Sequence, residues 1–492
     1  MKRLVGIIAG TLLGIGLIGE PIASALAKTP AEIVSAISVE TVDLAGVWQG
    51  TLLAGGVSLH LIIEIKKEGS GYTGTLTSID QSPQKFPLSA VTLSQNKLHL
   101  EVKVIGGEFN GELNDSAASA EGKWEQGGNS LALILKRDSK IPIVRRPQEP
   151  KRPYPYDEQE VAYDNTIDHV RLAATLTLPR GKGPWPAVVL ITGSGPQNRD
   201  EELLGHKPFL ILSDYLTRRG IAVLRADDRG IGKSTGNFGS ATTADFANDT
   251  EAGVAYLKTR PAIDHAHIGL IGHSEGGVIA PMVAARSNDV AFIVLMAGTG
   301  MIGEEILYAQ SALIGKAGGE TEAQIAEQKS LQKQMFAIAK QDIDAETKQK
   351  KLQALVKEAL DKLPESEKKS VGDLDQFAKT QSGAVSGPWF RYFLSYDPAI
   401  ALRKVTCPVL AINGSNDLQV PPKQNLPTIA AALKAGGNID YTIKELPGLN
   451  HLFQTSTTGA PSEYSQIEET IAPIALQTMG DWILKHTKLK TP

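Results

Sequence analysis

The sequence predicts an α/β fold, a mostly parallel sheet with helices on both faces, preceded by a small all-β domain. Two observations predict it. From about residue 157 onward, apolar strand-like runs alternate with helical patterns, which is typical of a parallel sheet covered on both sides. Before that point, residues 40–138 carry short alternating runs between Gly, Ser and Asn clusters, which indicate antiparallel strands. A chain of 492 residues is long enough for two or three such units.

The first 27 residues are typical of a secretory signal peptide. Two basic residues precede an apolar run over residues 4–18, and Ala25-Leu26-Ala27 supplies a small-residue cleavage site. A retained membrane anchor is the alternative, but the run is shorter than the roughly 20 residues that span a bilayer, and Glu20 ends it. We therefore expect a secreted or periplasmic protein with no stable membrane anchor after cleavage.

The composition limits the classes of molecule that are expected to bind this protein. The net charge of −4 gives no electrostatic reason to expect nucleic acid as a partner. Cys407 is the single cysteine, so neither a disulfide nor a lipid-modified cysteine at the cleavage site is expected. We interpret Cys407 as a small buried apolar residue. Nothing in the composition predicts an oligomeric state.

Residues 40–138 are predicted to form a β-barrel or β-sandwich domain. Leu59 to Ile65, Leu98 to Val104 and Leu131 to Leu135 alternate as half-buried strands do, and Trp48 and Trp124 are candidates for its core or the caps of that core. No cluster of acids, bases or metal ligands is found there, which favours a structural or substrate-positioning role. A ligand-binding barrel is the alternative.

Residues 139–156 hold five prolines among charged residues, which predicts a semi-rigid linker. The α/β domain follows over residues 157–488. Its predicted strands are Leu172 to Leu178, Ala187 to Thr192, Ile221 to Ala226, Ile268 to Gly272, Ala291 to Ala297, Pro408 to Asn413 and Tyr441 to Leu446. Its predicted helices are Phe209 to Arg219, Asp245 to Arg260 and Pro473 to Lys485.

An insertion over residues 303–382 interrupts the alternation of strands and helices. It is rich in Lys, Glu, Gln and Ala, lacks any strand signal and repeats apolar residues at helical spacing. We interpret it as a helical cap whose charges form a solvated outer face.

The run Gly272-His273-Ser274-Glu275-Gly276 follows an apolar strand and matches the GxSxG nucleophile elbow. In such an elbow a strand turns sharply into a helix, and a side chain at either flanking glycine would crowd the bend. The turn presents the serine hydroxyl at the carboxyl edge of the sheet. Ser274 is therefore the candidate nucleophile.

A serine needs a base to remove its proton and an acid to orient that base, and behind an elbow of this type the acid precedes the histidine in the chain. Asp417 and His451 each follow the end of a predicted strand, in that order. Asp228, after an earlier strand, is the alternative acid. His273 lies inside the elbow and is expected to point elsewhere, while His206 is a candidate for the entrance of the site.

Metal or nucleotide chemistry is not expected. His265 and His267 have no third ligand and are interpreted as surface residues, since zinc sites need three or four ligands. Gly230-Ile231-Gly232-Lys233-Ser234 resembles the end of a phosphate-binding P-loop, but Asp227 occupies the position of its first glycine. We therefore predict no cofactor and no metal.

The oxyanion of an acyl-transfer intermediate needs backbone N–H donors. We assign one to Glu275, the residue after the nucleophile, and the other to Ser194 in the glycine-rich loop after the strand Ala187 to Thr192, with Gly195 as the alternative. An aromatic group at the far end of the insertion is predicted to line the acyl pocket, and its members are Trp389, Phe390, Tyr392, Phe393 and Tyr396. Its alternative role is a hydrophobic anchor between cap and core.

Several separated motifs together resemble one known family. They are residues 192–201 (TGSGPQNRDE), 227–230 (DDRG), 272–277 (GHSEGG), 387–392 (GPWFRY) and 413–420 (NGSNDLQV). In this order they are similar to the α/β-hydrolase carboxylesterases related to the thermophilic esterase EstD, and the resemblance covers residues 157–488. It implies an α/β-hydrolase fold, hydrolysis of modest acyl esters and a triad of Ser274, Asp417 and His451. Exported members of the family also carry an N-terminal β-rich domain.

The sequence thus predicts an exported, cofactor-free serine carboxylesterase that acts on a small-molecule ester of short to medium chain length. The same triad serves amide cleavage and acyl transfer, so a serine peptidase or an acyltransferase is the alternative enzyme. A binding protein in which the β domain captures a ligand is the alternative outside enzymes.

Overall fold

The computed structural model describes residues 42–54, 57–69, 71–79, 85–127, 129–137, 145–365, 368 and 374–487. The predicted signal peptide and residues 139–144 of the predicted linker lie outside these ranges. The described chain divides into two compact units. One comprises residues 42–137, 363–365, 368 and 374–380, and the other comprises residues 145–362 and 381–487.

The first unit is an antiparallel β structure. Its strands are β1 (Gly46–Ala54), β2 (Val57–Glu68), β3 (Gly71–Ser78), β4 (Phe86–Pro87), β5 (Ala90–Ser94), β6 (Lys97–Val102), β7 (Gly107–Leu113), β8 (Ser119–Gln126) and β9 (Asn129–Arg137), with a short 3-10 helix at Lys103–Ile105. They are hydrogen-bonded in the order β4-β3-β2-β1-β9-β8-β7-β6-β5.

The two ends of this sheet meet in one segment of chain. The N–H of Leu88, just after β4, donates to the carbonyl of Gly74 on β3 (2.9 Å), and the N–H of Ser89 donates to the carbonyl of Glu101 on β6 (2.7 Å). Residues 86–94 therefore join both edges of the sheet, which closes it into a barrel and removes the open edges on which other chains could add.

Large apolar side chains fill the barrel. Trp48, Phe109 and Trp124 are all buried, and the indole N–H of Trp48 donates to the carbonyl of Leu44 (2.9 Å). The prediction that the two tryptophans belong to this core is confirmed.

The second unit contains a mixed sheet of eight strands. They are β10 (Asp157–Asn165), β11 (Val170–Leu178), β12 (Trp185–Ile191), β13 (Ala222–Ala226), β14 (Ile263–His273), β15 (Phe292–Met296), β16 (Val409–Gly414) and β17 (Tyr441–Leu446). Their order is β10-β11-β13-β12-β14-β15-β16-β17, antiparallel across the first two pairs and parallel from β13 onward.

Helices cover this sheet and fill the connection between β15 and β16. They are α1 (Pro208–Arg218), α2 (Thr243–Lys258), α3 (Gly276–Ala284), α4 (Gly303–Ala317), α5 (Glu322–Ala339), α6 (Ala345–Asp361), α7 (Leu374–Ser386), α8 (Pro388–Ser395), α9 (Ala399–Leu402), α10 (Pro422–Ala435) and α11 (Pro473–Thr487), with a 3-10 helix at Pro461–Gln466. No helix among the residues described above combines the length and the apolar character needed to cross a membrane.

The strands of the central sheet are buried on both faces, which explains their continuous apolar runs. On β14, Leu270 belongs to the cluster that α2, α3 and α10 cover, while its neighbour Ile271 belongs to the cluster that α1 and α11 cover. Successive residues of a strand point to opposite faces, so one strand contributes to two cores.

Local signals explain the helix ends. At the start of α5, the N–H of Gln324 donates to Oγ1 of Thr321 and the N–H of Thr321 donates to Oε1 of Gln324, a reciprocal capping box. The sequence predicts β14 too short, since it begins at Ile263, and misses β10 and α10. β10 carries acidic residues that mask its strand character, and α10 contains Pro427, which lowers its helical signal.

Candidate active site

The candidate site lies where β14 turns into α3. Ser274 occupies this turn with φ of +53°, a left-handed conformation that is uncommon for residues other than glycine. Its N–H donates to the carbonyl of Met296 at the end of β15 (2.8 Å), and its carbonyl accepts from the N–H of Gly277 (2.9 Å). Hydrogen bonds to the neighbouring strand and to the first turn of α3 thus fix the turn.

The glycines around Ser274 are required by close backbone contacts. A Cβ at Gly272 would lie 2.0 Å from the carbonyl oxygen of Gly276, and a Cβ at Gly276 would lie 2.3 Å from the carbonyl oxygen of Ile191. Both distances are far inside van der Waals contact. The GxSxG pattern here is therefore a steric requirement of the turn.

Asp417 and His451 meet at the carboxyl ends of β16 and β17. Nδ1 of His451 lies 2.9 Å from Oδ2 of Asp417, and both side chains are buried. The other carboxylate oxygen of Asp417, Oδ1, accepts from the N–H groups of Gln419 and Val420, each at 2.8 Å. Asp417 is thereby fixed in an orientation that holds the tautomer of His451 with its proton on Nδ1.

Asp228, the alternative acid, has different partners. Oδ1 accepts from the hydroxyl of Thr192 (2.8 Å) and Oδ2 accepts from the N–H of Gln197 (2.9 Å). Burial raises the pKa of this carboxyl well above its ordinary value. Asp228 therefore supports the loop after β12, and the structure pairs His451 with Asp417.

The same loop holds the predicted oxyanion donors. The N–H of Gly193 donates to Oε1 of Glu201 (2.7 Å), so it is occupied. Within the described part of the chain, the N–H groups of Ser194 and Glu275 donate no hydrogen bond, and both residues border one cavity with Ser274. These are the two N–H groups that the sequence assigns to the oxyanion.

That cavity has a volume of about 510 Å³ when the open solvent at its mouth is included. Its remaining lining residues come from the loops after β15 and β16 and from helices α4 and α8. They are Thr299, Ile306, Leu307, Gln310, Trp389, Phe393, Gln419 and Val420. Its walls combine apolar side chains with polar ones, which include two glutamines that face each other (Gln310 Nε2 to Gln419 Oε1, 3.4 Å).

The structure places two of the five aromatic residues predicted for the pocket on the wall of this cavity. Trp389 lines the cavity, but Phe390 is buried against Phe336 of α5 (ring centroids 5.6 Å) and Tyr392 stacks on Tyr396 (5.4 Å). Phe393, parallel to Trp389 at 5.1 Å, takes the second aromatic position on the cavity wall. Within α8, the face that meets the cavity is thus that of Trp389 and Phe393.

The side chain of Glu275 connects α8 to the elbow, a contact that the sequence does not signal. Its Oε1 accepts from the indole N–H of Trp389 (2.8 Å) and from the hydroxyl of Thr243 (2.7 Å). Burial raises the pKa of this carboxyl to about 7, although both hydrogen bonds act to lower it. Glu275 therefore fixes Trp389 with its side chain while its N–H faces the cavity.

Two expectations for histidines are wrong. His273 does not point elsewhere, because its buried ring lies 4.9 Å from that of His451 between centroids. His206 does not lie at an entrance, because it is buried and its ring nitrogens contact Thr470 Oγ1 (2.8 Å) and the Tyr464 carbonyl (2.9 Å). Burial lowers the pKa of His206 to about 4, so it is neutral at physiological pH.

The residues described contain no group of three or more His, Cys, Asp or Glu side chains placed to hold a metal ion. His267 is paired with Asp264 (2.7 Å) near the surface. Cys407 is partly buried against the core, and burial raises the pKa of its thiol to about 12.

Known esterases are similar to this chain in sequence or in structure. Esterase EstD from Thermotoga maritima is 26% identical over 370 residues, which cover 74% of this chain and 78% of that protein. Among solved structures, the Pyrococcus furiosus esterase Pf2001 is 16% identical, with 67% of this chain and 92% of that chain covered and a TM-score of 0.39. Est1E from Butyrivibrio proteoclasticus, solved with ferulic acid bound, is 17% identical, with 67% and 99% covered and a TM-score of 0.37.

The sequence model of the family described as X-Pro dipeptidyl-peptidase (S15 family) matches residues 168–443. This range includes Ser274 and Asp417 and ends before His451. Because it covers more than half of the 492 residues, the chain belongs to the X-Pro dipeptidyl-peptidase (S15) family and is an α/β-hydrolase related to Esterase EstD.

Proposed function

We propose that this protein is an exported serine carboxylesterase that hydrolyses uncharged esters of short to medium chain length through an acyl-enzyme. The observation that carries the proposal is the 2.9 Å contact between His451 Nδ1 and Asp417 Oδ2 in a unit that also presents Ser274 on a left-handed turn. The esterase activity named for EstD supports the same reaction class. Export rests on the sequence of the first 27 residues.

In the first half of the reaction, His451 takes the hydroxyl proton of Ser274 as Oγ attacks the ester carbonyl carbon. The carbonyl oxygen becomes an oxyanion, which the N–H groups of Ser194 and Glu275 stabilise. The intermediate collapses as the C–O bond to the alcohol breaks, and His451 gives its proton to the departing alcohol. Water then repeats the sequence on the acyl-enzyme, which releases the carboxylic acid and restores Ser274.

We propose further that α4 and α8 act as a cap that selects the acyl group. The cavity beside Ser274 takes Ile306 and Leu307 from α4 and Trp389 and Phe393 from α8. These four apolar side chains favour hydrocarbon chains, and each methylene that finds room beside them contributes about 0.8 kcal/mol of transfer free energy. Chain-length preference is therefore assigned to α4 of the insertion and to α8, which follows it.

The family match favours a second candidate, cleavage of X-Pro dipeptides. An exopeptidase has to bind the charged amino group of its substrate, and a buried charge needs a partner. Among the described residues that line the cavity, Glu275 is the only one with an ionisable acidic or basic side chain, and its Oε1 already accepts hydrogen bonds from Trp389 and Thr243. This arrangement favours an uncharged ester over a peptide with a free N-terminus.

A direct comparison of p-nitrophenyl esters with an X-Pro p-nitroanilide tests the proposal. We expect turnover of acetyl to octanoyl esters and, for the dipeptide anilide, at least about 10³-fold lower kcat/KM, since a desolvated amine without a partner costs several kcal/mol. Preferential turnover of the dipeptide anilide would overturn the ester assignment and leave the serine mechanism in place. Turnover of both substrates by Ser274→Ala at the wild-type rate would overturn the mechanism itself.

A further inference from the structure

His273, the residue before the proposed nucleophile, has an unusual set of hydrogen-bond partners. Its Nδ1 lies 2.9 Å from Oε1 of Glu201, and its Nε2 lies 3.0 Å from the backbone carbonyl oxygen of His451. His273 and Glu201 are both more than nine-tenths buried. The ring is therefore enclosed, and both of its nitrogens have protein partners.

Both partners are acceptors. A carbonyl oxygen can only accept a hydrogen bond, and Oε1 of Glu201 already accepts one from the N–H of Gly193 (2.7 Å). A neutral imidazole has one N–H and one lone pair, so one of its nitrogens would direct a lone pair at an acceptor. With Glu201 ionised, both contacts are satisfied together only when both ring nitrogens carry a proton.

We propose that His273 is held as a protonated imidazolium, paired with the carboxylate of Glu201, and that this buried ion pair positions the proposed triad and places a positive charge beside the base, His451. The proposal rests on the proposed function for its second part, because that part assigns the general base to His451.

The ion pair connects three loops whose relative positions matter for the proposed reaction. Glu201 holds the N–H of Gly193 next to the oxyanion loop, His273 ends β14 next to Ser274, and the carbonyl of His451 is fixed from the same ring. Glu201 itself has φ of +51°, a strained conformation for a non-glycine residue that persists only where surrounding contacts enforce it.

The charge of His273 also acts on His451 directly. Their ring centroids are 4.9 Å apart, and a positive charge at this distance disfavours a second one. The charged or titratable groups that face His273 are Glu201, His451 and Asp417, and the edge of the Phe453 ring completes its surroundings at 6.4 Å. Burial lowers the pKa of His273, but the Glu201 carboxylate and the hydrogen bonds raise it, with a net rise above its ordinary value.

Nuclear magnetic resonance of ¹⁵N-histidine-labelled protein tests the protonation state without reference to activity. At pH 8 we expect one histidine with protons on both ring nitrogens, absent from the spectrum of His273→Gln. The signal should remain in Ser274→Ala, so its presence is independent of the proposed function. A singly protonated ring at position 273, or no difference between the spectra, would overturn the proposal.

The pH profile of kcat/KM tests the effect on His451. Its acid limb reports the protonation of the essential base in the free enzyme. In His273→Gln the amide can still donate to the His451 carbonyl but carries no charge, so we expect the acid limb to move to higher pH by about half a unit or more. A loss of kcat with an unmoved limb would reduce His273 to a structural role and contradict the proposal.

Two variants complete the design. His267→Gln is the matched control, because His267 also faces a carboxylate, Asp264 at 2.7 Å, but lies near the surface outside the site. The pH profile of kcat/KM of His267→Gln should coincide with that of the wild type.

If His273→Gln does not fold, Glu201→Gln replaces it. Loss of the doubly protonated histidine signal is then expected because the counter-charge is gone. Retention of that signal in Glu201→Gln would contradict the ion pair.

Discussion

The barrel and the α/β unit differ in what they bury. Among the described residues of the barrel, Thr77 and Ser78 are the buried polar side chains, and the rest of its interior is apolar. The α/β unit buries acids, bases and amides in quantity, among them Glu201, His273, Glu275, Asp417 and His451. Both units have large apolar cores, so the contrast lies in the polar groups alone.

Burying an ionisable group costs free energy unless hydrogen bonds or an opposite charge offset the cost. In the α/β unit, the buried ionisable side chains around Ser274 and His451 have such partners. The resulting contacts fix the orientation and the protonation state of these side chains. The barrel carries no comparable cost. The buried ionisable groups around Ser274 thus lie in the α/β unit, and variants in the two units test this contrast.

The largest effect is expected from Ser274→Ala. Removal of the nucleophile should lower kcat for a p-nitrophenyl ester by about 10⁶-fold, because the other members of a triad act only through it. Ser240→Ala removes an exposed hydroxyl of the same unit and should turn over at the wild-type rate. A loss smaller than about tenfold in Ser274→Ala would place the chemistry elsewhere.

Asp417→Asn should lower kcat by about 10⁴-fold, because an amide no longer holds His451 in the tautomer with its proton on Nδ1. Asp228→Asn is the matched change, and it should stay within about tenfold of wild type because Asp228 bonds only to Thr192 and Gln197. The reverse order of these two variants in a steady-state assay would make Asp228 the acid.

In the barrel, Phe109→Ala should destabilise without affecting chemistry. Its fully buried ring predicts a loss of about 3 to 5 kcal/mol of unfolding free energy in the barrel transition, measured by denaturant unfolding. At a temperature where the variant is folded, kcat/KM for a short soluble ester should equal that of the wild type.

Phe292→Ala provides the corresponding change in the α/β unit, where the ring of Phe292 is buried on β15 against Gly269. It should lower unfolding free energy and activity together. Equal loss of kcat/KM in both variants would show that the barrel contributes to turnover and would remove the contrast between the units.

The smallest effect concerns Glu275. Its folded-state pKa of about 7 lies above its ordinary value of 4.5, so the folded protein binds an extra proton between these values. The free energy of unfolding should therefore fall as pH rises from about 4.5 to about 7, by at most about 3 kcal/mol, and level off above. Glu275→Gln keeps an acceptor for Trp389 and should lack this slope.

Glu346→Gln on the exposed face of α6 is the control for that series, since its carboxylate lies at the surface and pairs with Lys350. Its stability should follow the wild type across the same pH range. A parallel course of wild type and Glu275→Gln would mean that Glu275 is ionised throughout and that Trp389 is bound by a carboxylate at every pH.

The parts of the site carried by local sequence patterns could be predicted from the sequence. Ser274 sits in a motif whose glycines are sterically required, and Asp417 and His451 each follow the end of a strand. Parallel strands bring such ends to one edge of a sheet, so their order in the chain is enough to nominate them.

What the sequence could not supply depends on contacts between distant residues. In α8 four of the eight positions are aromatic, so no periodicity distinguishes Phe393, which lines the cavity, from Phe390, which is buried against α5. The bonds from Trp389 to Glu275 and from His273 to Glu201 join residues 114 and 72 positions apart. No local pattern signals either bond.

The most direct test of the central claim is covalent labelling with a p-nitrophenyl alkylphosphonate, followed by peptide mass spectrometry. We predict one adduct, on Ser274, formed with loss of p-nitrophenol. Its formation should parallel the loss of ester hydrolysis, and Ser274→Ala should form no adduct. An adduct on another residue, or full ester turnover by protein that carries the label on Ser274, would contradict it.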